Sequence, residues 1–178
     1  MGRRHSYDDR RTVRGYQFGI TIEPDHDAGP PWEDDGHGPV SEWRDRERKR
    51  PGERELVRDR GLARFYDVEA AQALALAEGW NCQPYDVPGE TARQRAARAV
   101  DHNFRHLRDW CQDRWHYVGV VVTWIGADGA PLAPQVSASL WSVEDSDRAY
   151  LDEVADELIA ECLSEIETDQ PDIVLSEN

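Results

Sequence analysis

Apolar and polar residues alternate along Tyr16-Gln-Phe-Gly-Ile-Thr-Ile22. That period of two predicts a strand with Tyr16, Phe18, Ile20 and Ile22 on one face. Tyr117–Ile125 carries Val118, Val120, Val121 and Val122 on both faces, which predicts a strand central in a sheet. Residues 135–143 alternate at Val136, Ala138 and Leu140. With the Gly126-Ala-Asp-Gly129 turn between them, the two runs predict an antiparallel hairpin with a longer loop. Residues 61–66 add a short strand.

Helical spacing appears in three places. Asp67 suits an N-cap for a helix over Val68–Glu78, with Gly79 as its left-handed terminator and Trp80 packing back on Leu74 or Ala75. Val100, Phe104, Leu107 and Cys111 recur at i, i+4, i+7 and i+11 in a helix predicted over 90–115. Leu151, Val154, Ala155, Leu158, Cys162 and Ile166 form the apolar face of a helix predicted over 146–167. Asp145, Ser146 and Asp147 offer its N-cap. The order of elements implies an α+β fold: one small antiparallel sheet with about three helices packed on it.

Between these elements, residues 23–40 are rich in Pro, Gly and acid and predict a long irregular acidic loop. Residues 43–60 hold eight basic and five acidic side chains and read as a solvated loop or a frayed helix. The organisation expected is a mobile basic arm over 1–14, a single α+β domain over 15–168 and a tail over 169–178.

Charge changes the picture most. The formal net charge of the 178-residue chain is −15. Residues 116–178 contain fourteen carboxylates and one basic residue, Arg148, so most of the excess lies there. Residues 23–42 add seven carboxylates with no Lys or Arg. Surfaces of this sign repel nucleic acid and membranes and attract basic protein surfaces. Seven Trp residues argue against a disordered chain. The N-terminus has no apolar core of a signal peptide, and no apolar run is long enough to span a bilayer. Three widely spaced cysteines, Cys82, Cys111 and Cys162, fit reduced thiols in a cytoplasm.

Reaction motifs are absent: there is no GxSxG, no Walker A and no GxGxxG. Asp25, His26, Asp27 and His37 offer oxygen and nitrogen donors to a divalent metal, which makes a metal-dependent enzyme the alternative reading. The other reading of that loop is a rigid acidic turn with Trp32 packed on the core. His102 and His106 stand at i, i+4 but lack the Glu of a metalloprotease helix, and read as solvated. Cys111 and Cys162 fall on apolar stripes and read as buried structural thiols.

The segment YQFGITIEPDHDAGPPWEDDGHGPVSEW, with Arg64-Phe-Tyr-Asp67, Trp110-Cys111, Trp115-His-Tyr-Val-Gly119 and Ser139-Leu-Trp-Ser142, resembles a group of small acidic accessory proteins of bacteriophages and prophages over nearly the whole chain. The resemblance implies a setting and no catalytic residue. Proteins of that class include inhibitors of bacterial defence, among them anti-CRISPR proteins and nucleic-acid mimics. The expectation is therefore a non-enzymatic inhibitor in the cytoplasm of an infected bacterium, with no cofactor. It would bind a host nucleic-acid-handling protein with a basic surface, without touching nucleic acid or membrane itself. Its contact residues would be Glu153, Asp156, Glu157, Glu161 and Glu165 of the last helix, with Trp32, Glu33, Asp34 and Asp35 of the acidic loop. A homodimer in which 43–60 meets an acidic face of a second copy is a further expectation.

Overall fold

The computed structural model describes residues 7–85, 87–132 and 135–169. In chain order the strands and helices are β1 (Asp9–Val13), β2 (Tyr16–Pro24), β3 (Arg44–Asp45), β4 (Glu53–Asp59), β5 (Leu62–Asp67), α1 (Val68–Glu78), α2 (Ala92–Trp110), β6 (Tyr117–Ile125), β7 (Ser137–Glu144) and α3 (Arg148–Asp169). Short 3-10 turns cover Pro31–Glu33 and Arg46–Arg48. The chain divides into two compact units. The split unit takes the described residues through Ala28 and from Trp115 onward; the inserted unit is Gly29–Arg114.

The α+β class expected from sequence is the class observed. The strands form two antiparallel sheets, however, one in each unit.

In the split unit the sheet order is β1-β2-β6-β7, so β6 is internal as its two apolar faces required. α3 packs on one face. Leu151, Val154, Ala155, Leu158, Cys162 and Ile166 are all buried there, joined by Ile159 and Leu163, against Phe18, Ile20, Val120 and Val122. Each such aliphatic side chain contributes about 1.5–3 kcal/mol on burial. Asp147 caps α3: its carboxylate accepts the Ala149 N–H at 2.9 Å.

The segment expected as a mobile arm over 1–14 is corrected in part. Asp9–Val13 pairs with β2 through a two-residue turn whose residues, Arg14 and Gly15, both have positive φ. Its polar composition hid it, because an edge strand needs little apolar surface of its own. Arg11 instead ties it to α3 by ion pairs. The expected tail, 169–178, lies outside the described residues except for Asp169, which ends α3.

β7 departs from its predicted alternation. Val118 pairs with Val143 and Val120 with Leu140, so Trp141 and Ser142 both stand opposite Gly119. This is a bulge, and Ser142 adopts a positive φ of 58° in it. The indole of Trp141 lies over Gly119, in the space that a Cβ there would occupy.

In the inserted unit the order is β3-β5-β4, with α1 and α2 packed on each other and on β4. Its core gathers Leu56, Tyr66, Ala75, Val100, Phe104 and Leu107. α1 has the predicted cap and terminator: Asp67 accepts the Ala70 N–H, and Gly79 has φ +71°. α2 starts later than expected, behind a capping box in which Thr91 and Gln94 satisfy each other's backbone.

The reading of 43–60 as loop or frayed helix is also corrected: it holds β3, a 3-10 turn and β4. A bulge between Glu55 and Val57 breaks the alternation that would have revealed β4. Glu53 is buried and ion-paired with Arg44, whose guanidinium stands 4.5 Å over the Phe65 ring.

The Arg44 pair, followed by the opposing effect of burial, holds the Glu53 carboxyl below the usual range. A depressed folded pKa gives stability that is present above the unfolded value and is lost as pH falls through the folded one. Glu53→Gln should therefore lower the melting temperature at pH 7. The gap from wild type should close as pH falls below roughly 4. A gap that stays constant from pH 7 to 3 would contradict this account.

Candidate functional site

The acidic helix is the strongest electrostatic feature. Through the split unit the sequence has nineteen acidic and six basic residues, a net of −13; the inserted unit carries the remaining −2. Glu153, Asp156, Glu157, Glu161 and Glu165 are all exposed on α3, as predicted.

The protein neutralises one flank of α3 itself. Arg11, on β1, reaches Asp152 at 2.7 Å and Asp156 at 2.5 Å. Arg14 reaches Glu167 at 3.0 Å. Sequence reasoning missed this, because nothing marked β1 as the neighbour of α3. Asp156 is thus engaged within the fold. Glu153, Glu157, Glu161 and Glu165 are left as a row with a four-residue step, and no ion pair is made by them among the described residues. That step advances about 6 Å along the axis and turns slowly around it.

The second part of the expected contact surface, Trp32 to Asp35, belongs to the inserted unit. Trp32 is half-buried and packs edge-to-face on Trp110 at 5.3 Å, with the Arg64 guanidinium 5.5 Å from its ring. Glu33, Asp34 and Asp35 are exposed.

The alternative metal set is divided as well. Asp25, His26 and Asp27 belong to the split unit and His37 to the inserted one. Both Asp25 oxygens serve the fold. Oδ1 accepts the Asp27 and Ala28 N–H groups, each at 3.1 Å, and Oδ2 accepts the Ser142 N–H at 3.0 Å and its hydroxyl at 3.2 Å. Desolvation acts to raise its pKa, and these bonds outweigh it and hold the carboxyl low. Asp25 is thus the clamp on the β7 bulge. Among the described residues, no three His, Cys, Asp or Glu side chains converge where they could hold a metal ion.

His37 sits in a network centred on Asn103. Asn103 Oδ1 accepts the Gly38 N–H at 3.0 Å and the Tyr66 hydroxyl at 2.9 Å, and Nδ2 lies 2.7 Å from His37 Nδ1. The His37 ring stacks on His106 at 6.1 Å. Burial pushes the Tyr66 hydroxyl pKa upward, so it donates rather than ionises. His102 is held below the usual imidazole range, first by desolvation and then by His106, Arg105 and Arg98.

Two of the thiols are poor nucleophiles: burial pushes Cys111 and Cys162 up to about 11. Among the described residues, no helix is long and apolar enough to cross a membrane. An open cleft of about 600 Å³ lies beside the bulge, between residues 23–28 and Trp141-Ser142. No family model, curated protein or solved structure matches the chain.

Proposed function

We propose that this protein is a phage-encoded inhibitor of a host nucleic-acid-handling defence protein, acting in the bacterial cytoplasm. It presents carboxylates where the target expects phosphates. The observation that carries this reading is the exposed row Glu153, Glu157, Glu161 and Glu165 on the most acidic part of the chain. Along one nucleic-acid strand the phosphates succeed one another on a comparable scale, and a basic groove built to displace counterions from them will accept a rigid row of carboxylates. The helix is rigid because its opposite face is buried along its length.

The test is charge reversal at those four positions to Lys. All four side chains point to solvent, so the melt should stay close to wild type. Capture of the partner from bacterial lysate should fall more than about tenfold, the scale expected when several charge pairs across one interface turn repulsive. Wild-type binding should weaken steeply with salt, since exposed charges are screened beyond about 8 Å at physiological strength. Duplex DNA or RNA should elute the partner. Undiminished capture by the reversed variant, with affinity flat in salt, would overturn the proposal.

A further inference from the structure

We propose that the outer edge of β7 is a docking strand for an extended, basic segment of a partner protein. β7 ends the sheet order β1-β2-β6-β7, so among the described residues one side of its backbone has no strand beside it. The Trp124 N–H donates to the Val136 carbonyl at 3.0 Å, which places residues 136, 138 and 140 toward β6. In an antiparallel ladder the alternate residues turn their main-chain groups the other way. Ser137 and Ser139 therefore aim N–H and C=O outward, and both residues are exposed.

Edge strands are ordinarily guarded by charge, proline or a cover. The opposite edge follows that rule, with Asp9, Arg10 and Arg11 on β1. β7 reads SASLWSVE, with no proline and no charge before its last residue. It also exposes two large apolar side chains in succession, Leu140 at 44% and Trp141 at 46%. They flank the edge on opposite faces, and the Trp141 indole lies over Gly119. The bulge sets the far limit, because the Ser142 N–H is already taken by Asp25. Residues 137–141 remain, close to the usual strand length of about 5–6 residues.

Charge selects the occupant. A second copy pairing through β7 would bring two units of net −13 together, which opposes self-association. A basic strand is attracted instead. At the bulge end, a Lys or Arg side chain of that strand would meet the indole of Trp141 and the carboxylates of Glu23 and Asp27, which line the same cleft. Main-chain pairing supplies affinity in such strand addition, and alternate side chains supply selectivity. The proposal rests on the reading that this protein binds a basic protein partner. It assigns the anchoring to β7, separately from the α3 row.

The probe is a synthetic peptide of about ten residues alternating Lys and Val. Its control has the same charge, with Pro replacing the valines so that it cannot pair as a strand. The full chain should bind the first peptide and protect the Ser137 and Ser139 amides from hydrogen exchange. Ser139→Pro removes an outward donor and leaves the β6 ladder intact, so binding should fall about tenfold or more with little change in melt. Leu140→Lys, which places a like charge on the edge, is the second variant should Ser139→Pro fail to fold. Reversal of the α3 row to Lys should leave amide protection at β7 in place, so failure of the mimicry reading and of this one are distinguishable. Equal binding of the two peptides, or unchanged binding by Ser139→Pro and Leu140→Lys, overturns the proposal. So does sedimentation showing a peptide-free dimer that Ser139→Pro dissolves, since a second copy would then occupy the edge.

Discussion

Leu158→Asp is expected to unfold the split unit. Leu158 is 7% exposed, midway along the face of α3 that covers the sheet. A carboxylate placed there has no cation in the apolar cluster around it. The least costly escape is protonation, and holding an Asp protonated at pH 7 costs about 4 kcal/mol. Loss of the leucine burial adds about 2–3 kcal/mol. Together these approach the whole stability of an ordinary domain, about 5–15 kcal/mol. Leu158→Met, which keeps volume and polarity, should cost less than about 1.5 kcal/mol. Far-UV circular dichroism melts read both variants. A cooperative transition for Leu158→Asp within a few degrees of wild type would mean that α3 does not lie on the sheet as described.

Asn103→Leu is expected to destabilise the inserted unit by about 3–5 kcal/mol, although leucine nearly matches asparagine in shape. The carboxamide answers two donors, the Gly38 N–H and the Tyr66 hydroxyl, and faces the His37 ring. Each buried polar group left without a partner costs about 1–3 kcal/mol. Tyr66→Phe alone should cost about 1 kcal/mol. Combined with Asn103→Leu it should recover part of the loss, because it removes one of the stranded donors. Urea denaturation of the two single variants and the double variant gives the coupling. Strict additivity would show that the network is not a unit.

Elements whose pattern reports burial were legible in the sequence. Six positions of the apolar face of α3, the bilateral valines of β6 and the Asp67-to-Gly79 span of α1 each follow from a local periodicity or cap, and the structure adds Ile159 and Leu163 to the first. Elements held by polar contacts were not. β1 and β4 are charged strands stabilised by Arg11 with α3 and by Glu53 with Arg44, partners far away in sequence or masked by neighbouring charge. The capping box at Thr91 and Gln94 was a readable signal, and attention to it would have fixed the start of α2. Asn103, a lone amide between Val100 and Leu107 on an apolar stripe, could also have been read as the hub of a buried network.

The candidate contact surface divides along the same line. The acids of α3 could be placed on a solvent face because the apolar face is so regular. Which of them pair within the fold depended on β1, from which Arg11 reaches Asp156. Trp32 carried two readings, a partner contact and packing on the core, and the structure adds its edge-to-face contact with Trp110, which no local pattern marked.

The strand β2 ends where the inserted unit begins, and β6 begins where it ends; Pro24 pairs with Val118, and the Asp25 N–H bonds to the Tyr117 carbonyl. The two are hairpin neighbours with a whole compact body in place of the turn. Closing that pair brings together residues separated by the full length of Gly29–Arg114, so it is entropically late compared with local contacts. On a ribosome the inserted unit can be complete while β1 and β2 still await their partner strand. The finished sheet then forms only after β6 and β7 have emerged, and the helix that covers it is synthesised after both.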